Sequence, residues 1–392
     1  MTQAFEPEDL VAALVAREPA AAADPGAIRI VRAPGRVNLI GEYTDVNAGL
    51  VLPAAIDREI RIAYVASGDR RVELTRLDDG ETDGFGLDVP RQRSGTWLDY
   101  VAATAWALAE AGLPISGLRG VIGSTLPENA GLSSSAAIEL ASAWALLGEV
   151  AAGVDPLELA LICQRAENGY VGVQSGLMDQ FASSCGVAGA ALLLDCRSTE
   201  WRTVMVPEGL AIVVCHTGSP RRLGSSAYNI RRAQCDAAVE GIRRVDPTIG
   251  SLRDVSAALL AAARGGLDPV VARRAEHVIA ENDRVLATLA AFEDGDLEGL
   301  GDAFAASHAS LRDLFEVSSP QLDALVEIAA AVSGVVATRM TGAGFGGCTV
   351  SLVHAEAVAA LRDAVLATYP TRTGLTPMIL PVLPANGAGT LA

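Results

Sequence analysis

The sequence predicts a mixed α and β protein of two domains, and three observations carry that expectation. Its 392 residues suffice for two cores. The first half alternates strand and helix patterns. The second half is mostly helical, closed by strand, glycine loop, strand, helix and strand. Apolar alternation over 27–33, 59–66, 71–77 and 118–123 predicts strands, and helical periodicity covers 98–111 and 133–147. A helical pair at 156–168 and 176–184 leads to the strand "AALLLDC", and 209–217 opens another strand. Helices are expected at 227–244, 269–292, 297–314 and 320–333. Pro207 and Gly209 are breakers in a loose boundary from 195 to 209, so 1–200 and 201–392 are the expected domains.

Composition removes several function classes. Thirty basic against 47 acidic side chains give a net charge of −17, a poor match to nucleic acid or an anionic membrane. All 30 basic residues are arginines, which excludes Walker-type loops, protein kinases and Schiff-base chemistry, each of which needs a placed ammonium. The apolar stretch 136–152 carries Glu139 and Glu149, against a membrane span, and the acidic start "MTQAFEPEDL" differs from a signal peptide, so a cytoplasmic location is expected. The six cysteines lack C-x-x-C spacing and read as buried structural thiols. The four histidines form no zinc-type pair.

Four segments concentrate polar groups. In "LPENAGLSSSAAIELASAW", Ser133 is a natural N-cap, and the helix it opens offers unpaired N–H groups to a phosphate; taken alone, the segment reads more readily as serines capping an ordinary core helix. "APGRVNLIGEYTDVNAGLVLP" sets Arg36, Asn38, Glu42, Asp45 and Asn47 among apolar residues, either as a pocket floor or as a solvated hairpin tip. In "QSGLMDQFASSCG", Asp179 is a semi-buried carboxylate that needs a partner, and Glu167 ends a helix pattern upstream. "MTGAGFGGCTVSLV" has Gly342, Gly344 and Gly347 at dinucleotide spacing but runs into a strand instead of a helix, leaving a loop of close backbone approach.

In this order, the segments resemble the GHMP kinases (galactokinase, homoserine kinase, mevalonate kinase and phosphomevalonate kinase), and galactokinase most of all. The resemblance spans nearly the whole chain through "GRVNLIGEYTD", "GLSSSAA", "VGVQSGLMDQF", "AYNIRRAQC" and "RMTGAGFGGC". It implies an α+β fold with an N-terminal domain like ribosomal protein S5 domain 2, a C-terminal α+β domain, and the active site in the cleft between them. It implies that Asn129, Ala130, Gly131, Leu132, Ser133, Ser134 and Ser135 wrap the ATP phosphates, and that Ser135 and Glu167 hold Mg²⁺. Asp179 would face the anomeric hydroxyl of the sugar, with Arg36 beside it and the transferring phosphoryl group. Glu42, Tyr43, Thr44, Asp45 and Tyr228 would line the sugar pocket. The expected reaction is ATP-dependent phosphorylation of galactose at C1. The alternatives are the same reaction on L-arabinose, 6-deoxygalactose or another galactose-like sugar, and a non-catalytic galactose/ATP sensor, against which the intact run from Ser133 to Ala137 speaks. Three residues depart from the pattern: Tyr43 stands for the usual histidine, and Asn129 and Ala343 stand for glycines.

Overall fold

The computed structural model describes residues 5–89, 91–127, 130–219 and 224–391. The first half comprises α1 (Pro7–Arg17), α2 (Pro19–Ala23), β1 (Arg29–Asn38), β2 (Leu50–Val51), β3 (Pro53–Ser67), β4 (Arg71–Arg76) and β5 (Thr82–Gly86). It continues through α3 (Leu98–Glu110), β6 (Gly117–Ser124), α4 (Ser134–Leu147), α5 (Pro156–Ala166), α6 (Met178–Cys185), β7 (Ala190–Asp195) and β8 (Trp201–Met205). There follow β9 (Leu210–His216), α7 (Gly224–Ile242), α8 (Ala257–Ala263), α9 (Pro269–Asp294), α10 (Leu297–Asp313) and α11 (Pro320–Ala330). The chain closes with β10 (Val335–Thr341), β11 (Cys348–His354), α12 (Val358–Thr373), β12 (Met378–Val382) and β13 (Gly389–Leu391).

The strands form three sheets, ordered β13-β1-β3-β6-β4-β5, β10-β11-β9-β12 and β2-β7-β8. The long β1–β3 pair is antiparallel, and β4 joins β6 in parallel. The β1–β3 register slips between Pro34 and Arg36, where three residues of β3, Ile56 to Arg58, stand opposite Gly35 alone. The bulge serves the site: a Cβ on Gly35 would lie 2.5 Å from the Leu132 carbonyl oxygen, so glycine alone lets the segment before α4 lie against β1. Arg36 N–H then donates to that same oxygen at 3.1 Å.

Helix α4 is the core helix of the first half. It buries Ala137, Leu140, Ala141 and Leu146 in the main apolar cluster, although by length and composition the 134–153 segment could cross a membrane. The 209–217 strand, the four long C-terminal helices and the strand–loop–strand end lie within a few residues of expectation. Helix α5 differs: it ends at Ala166 and passes into a π-helical turn at Glu167–Val171, a distortion common at functional sites. The sequence reading also lacked α1, whose N-terminus has Pro7 and a Glu6–Asp9 capping box, and the short elements β5, β8, α8 and β13. β8 pairs with β7, and β13 returns from the C-terminus to pair with β1.

Candidate active site

Just past the register break, β1 presents Arg36 to α6. Its Nε and Nη2 donate to Asp179 Oδ1 and Oδ2, each at 2.7 Å, the fork geometry that guanidinium and carboxylate share. The third nitrogen, Nη1, donates to the Gly131 carbonyl at 2.9 Å, tying the same arginine to the segment that precedes α4. Arg36 is buried, while Asp179 keeps 26% of its side chain exposed, so the pair opens toward solvent on the carboxylate side.

Ser133 corrects the sequence reading. It occupies the N-cap position of α4, but with φ 59° and ψ 49° it is left-handed, and its hydroxyl caps nothing. The hydroxyl donates instead to Asp179 Oδ2 at 2.5 Å. The first turn of α4 therefore has no side-chain cap, which leaves its N–H groups and positive dipole end for an anion. Ala130 and Leu132 are buried, Gly131 takes φ 75°, Ser134 is exposed, and Asn129 lies outside the described residues.

Beside the pair stands Asp45. Burial, and then the Asp179 charge, push its carboxyl up to about 6. A Cβ on Gly176 would sit 2.0 Å from Asp45 Oδ2, so glycine there makes room for the carboxylate. Burial, then Asp45, Tyr43 and Asp179, push the Tyr228 phenol well up, which puts α7 against this same acidic corner. Glu167 sits deeper, where burial raises its carboxyl; it accepts from Ser175 Oγ at 2.5 Å, Gln180 Nε2 at 3.0 Å and the Ser135 side chain. Gln180 also donates to Glu139 Oε2 at 2.9 Å, so one amide bridges two buried carboxylates. Glu139 and Gln180 were not singled out by sequence. The available signal was a carboxylate in the middle of an apolar helix.

The remaining first-motif residues face the C-terminal half. Glu42 is ion-paired with the fully buried Arg339 and accepts from Gly342 N–H at 3.0 Å. Burial raises its carboxyl, with Arg339 opposing. Thr44 Oγ1 lies 2.7 Å from Gly41 O and 2.6 Å from Leu50 O, closing its own loop. Tyr43 donates to Ala343 O at 2.7 Å. Arg339 Nη1 donates to Leu39 O, and α9 contributes His277 to Glu42 O, Glu281 to Gly41 N–H and Asn282 to Leu50 N–H. The loop that carries Asp45 is thus held from behind by the second half of the chain.

Comparison with known proteins agrees with this geometry. Residues 21–65 match the galactokinase galactose-binding signature, 99–187 the GHMP kinases N terminal domain, and 288–371 the GHMP kinases C terminal. A galactokinase of Roseiflexus sp. (strain RS-1) is 44% identical over 368 residues, 92% of each chain. The chain belongs to the galactokinase family. A Lactococcus lactis galactokinase solved in complex with galactose superposes with a TM-score of 0.91 at 35% identity, over 97% of this chain and 100% of that one. A Methanococcus jannaschii mevalonate kinase, at 18% identity and a TM-score of 0.67 over 93% of this chain and 100% of that one, shares the fold. The galactokinase-family fold is thus α+β, as expected from the sequence, and the enzyme uses ATP.

Proposed function

We propose that the protein transfers the terminal phosphoryl group of ATP to the C1 hydroxyl of galactose, giving galactose 1-phosphate. The observation that carries this reading is the bidentate Arg36–Asp179 pair set at the uncapped start of α4. Phosphoryl transfer needs little covalent help and much positioning and charge stabilisation. The N-terminus of α4, with the residues from 129 to 135, receives the phosphates, and Arg36 meets the negative charge that develops on the transferring group. Arginine thereby does what lysine does in other phosphate loops. Asp45 and Tyr228 bind sugar hydroxyls, while Glu42, Tyr43 and Thr44 form the wall behind them.

Asp179 faces the C1 hydroxyl. Its two oxygens already accept from Arg36, and one accepts from Ser133 as well. It therefore works chiefly by orienting the hydroxyl, taking the proton late, when bond formation has acidified that hydroxyl. Mg²⁺ fits the neighbouring donors: Ser135 and Glu167 supply hard oxygens beside further buried carboxylates. The nucleotide phosphates would supply the ion's other oxygen ligands. When bound, the ion neutralises phosphate charge.

The domain reading belongs to the same proposal: 1–200 and 201–392 as two units, with β8 and β13 added to the first by their pairing. Function in the cytoplasm belongs to the same proposal, and the net charge of −17 supports a role without nucleic acid or anionic membrane partners. ADP release coupled to NADH oxidation, measured over a panel of sugars, tests the reading. Release is expected with galactose, and the absence of release with every aldohexose refutes it. Release that is fastest with L-arabinose would favour the related-sugar alternative.

A further inference from the structure

Tyr43, in the loop that carries Asp45, and Ala343, in the glycine loop, touch each other. They lie 300 positions apart, and the Tyr43 hydroxyl donates to the Ala343 carbonyl at 2.7 Å. Tyr43 is 4% exposed, with its ring centroid 4.4 Å from that of Phe315 and 5.3 Å from that of Tyr228. Its backbone is left-handed, with φ 65°, a conformation in which a bulky side chain persists only when its surroundings hold it. Asn47 Nδ2 supplies part of that hold by donating to the Tyr43 carbonyl at 2.7 Å. In the partner loop Gly342, Gly344, Phe345, Gly346 and Gly347 all have positive φ and Ala343 does not, which is why alanine fits at that one place.

The same loop reaches two other motifs. Toward the sugar side, Gly342 N–H donates to Glu42, and Thr341 Oγ1 donates to Asn38 O at 2.7 Å. Toward the phosphate side, Cys348 Sγ donates to Ala130 O at 2.9 Å. The glycine loop and the strand ends that flank it are therefore hydrogen-bonded both to the loop carrying Asp45 and to the loop that precedes α4. The Tyr43 hydroxyl gives its one proton to Ala343 O, so it has no proton left to donate to a sugar hydroxyl.

We propose that Tyr43 is a positioning residue: it latches the glycine loop to the sugar loop, couples the binding of sugar to that of nucleotide, and does not read the sugar's C6 hydroxyl. The inference rests on the galactose reading above for the identity of the ligands, and on the geometry alone for the latch. Coupling between two binding sites is reciprocal, so it is measurable from either ligand.

Tyr43→Phe keeps the ring and removes the donor of the latch. Hydrogen–deuterium exchange over residues 340–347 is expected to rise in this variant. The factor by which a non-hydrolysable ATP analogue with Mg²⁺ tightens galactose binding in calorimetry should fall roughly three- to tenfold, the scale of one buried hydrogen bond. The kcat/KM ratio of galactose to 6-deoxygalactose should change by less than about twofold, because no contact with the substrate is lost. Cys348→Ala, at the far end of the loop, should lower the same coupling factor. Unchanged exchange together with unchanged coupling in Tyr43→Phe overturns the latch, and so does a tenfold fall in the galactose to 6-deoxygalactose ratio, which would place the phenol on C6. Should the wild-type protein neither bind nor phosphorylate galactose, the proposed function fails, and the exchange measurement still decides the latch.

Discussion

Asp179 accepts three hydrogen bonds from Arg36 and Ser133 while a quarter of its side chain stays exposed, an arrangement that holds a carboxylate still and leaves one approach to it. Asp179→Asn keeps the shape but loses the charge and half of the fork. Turnover should fall by at least about a hundredfold, the scale of losing a positioned acid–base group, while calorimetry shows galactose still bound. Near-normal turnover in the folded variant would remove Asp179 from the chemistry. Asp45 gives a second handle, because its carboxyl is pushed up to about 6 by burial and by Asp179. Galactose affinity is expected to change with an inflection near pH 6, and Asp45→Asn should abolish it. The sequence showed both aspartates as polar groups in apolar settings. It misassigned Ser133, because the cap reading assumes extended backbone and this serine is left-handed.

At the scale of elements, the site depends on where α4 begins and where α5 stops. The tight pass of β1 beneath the segment before α4 leaves no room for a side chain at Gly35. Gly35→Ala should cost about 1–3 kcal/mol in denaturant unfolding and raise the KM for ATP more than that for galactose, since the displaced backbone carries the phosphate-binding N–H groups. An unchanged KM for ATP would show that the contact is only packing. The π-helical turn at the end of α5 brings Glu167 to Ser175, Gln180 and Ser135. Glu167→Gln and Ser135→Ala should each raise the Mg²⁺ concentration giving half-maximal rate; a lower melting temperature with an unchanged Mg²⁺ titration would mark both as structural. Apolar periodicity located the long helices, but a π turn has no periodic signature of its own, and edge strands as short as β13 are made by pairing with a distant partner.

Across the whole molecule, the first motif is held by a buried polar seam from α9 and β10, and that seam contributes to the acid response. Burial lowers His277 to about 4, and burial lowers His308 to about 4 as well. Burial alone would raise Glu281, but Arg284, His277 and Arg339 bring it down to about 2. In all three cases the unfolded chain binds more protons, so their stabilisation is complete above pH 6.5 for the histidines and above 4.5 for Glu281, and is lost as pH falls through the folded values. Asp45, between 3.8 and about 6, has the opposite sign, and so do Glu42, Glu139 and Glu167, whose carboxyls burial raises, so the net slope of stability with pH does not report the histidines alone. Proton NMR of the two imidazoles should show them titrating near pH 4, and titration of either near 6.5 in the folded protein would contradict their buried, neutral state. None of this seam was legible in the sequence, because His277, Glu281 and Arg339 meet the first motif only through tertiary contacts across 235 to 300 positions.

The measurement that most directly tests the account is phosphorus NMR of the product formed by the purified protein from galactose, ATP and Mg²⁺. The Arg36–Asp179 pair at the start of α4 predicts a single new sugar phosphate, with phosphorus coupled to the anomeric proton, formed in step with ADP and absent in Asp179→Asn. A 6-phosphate, or ADP formed without any sugar phosphate, would contradict it.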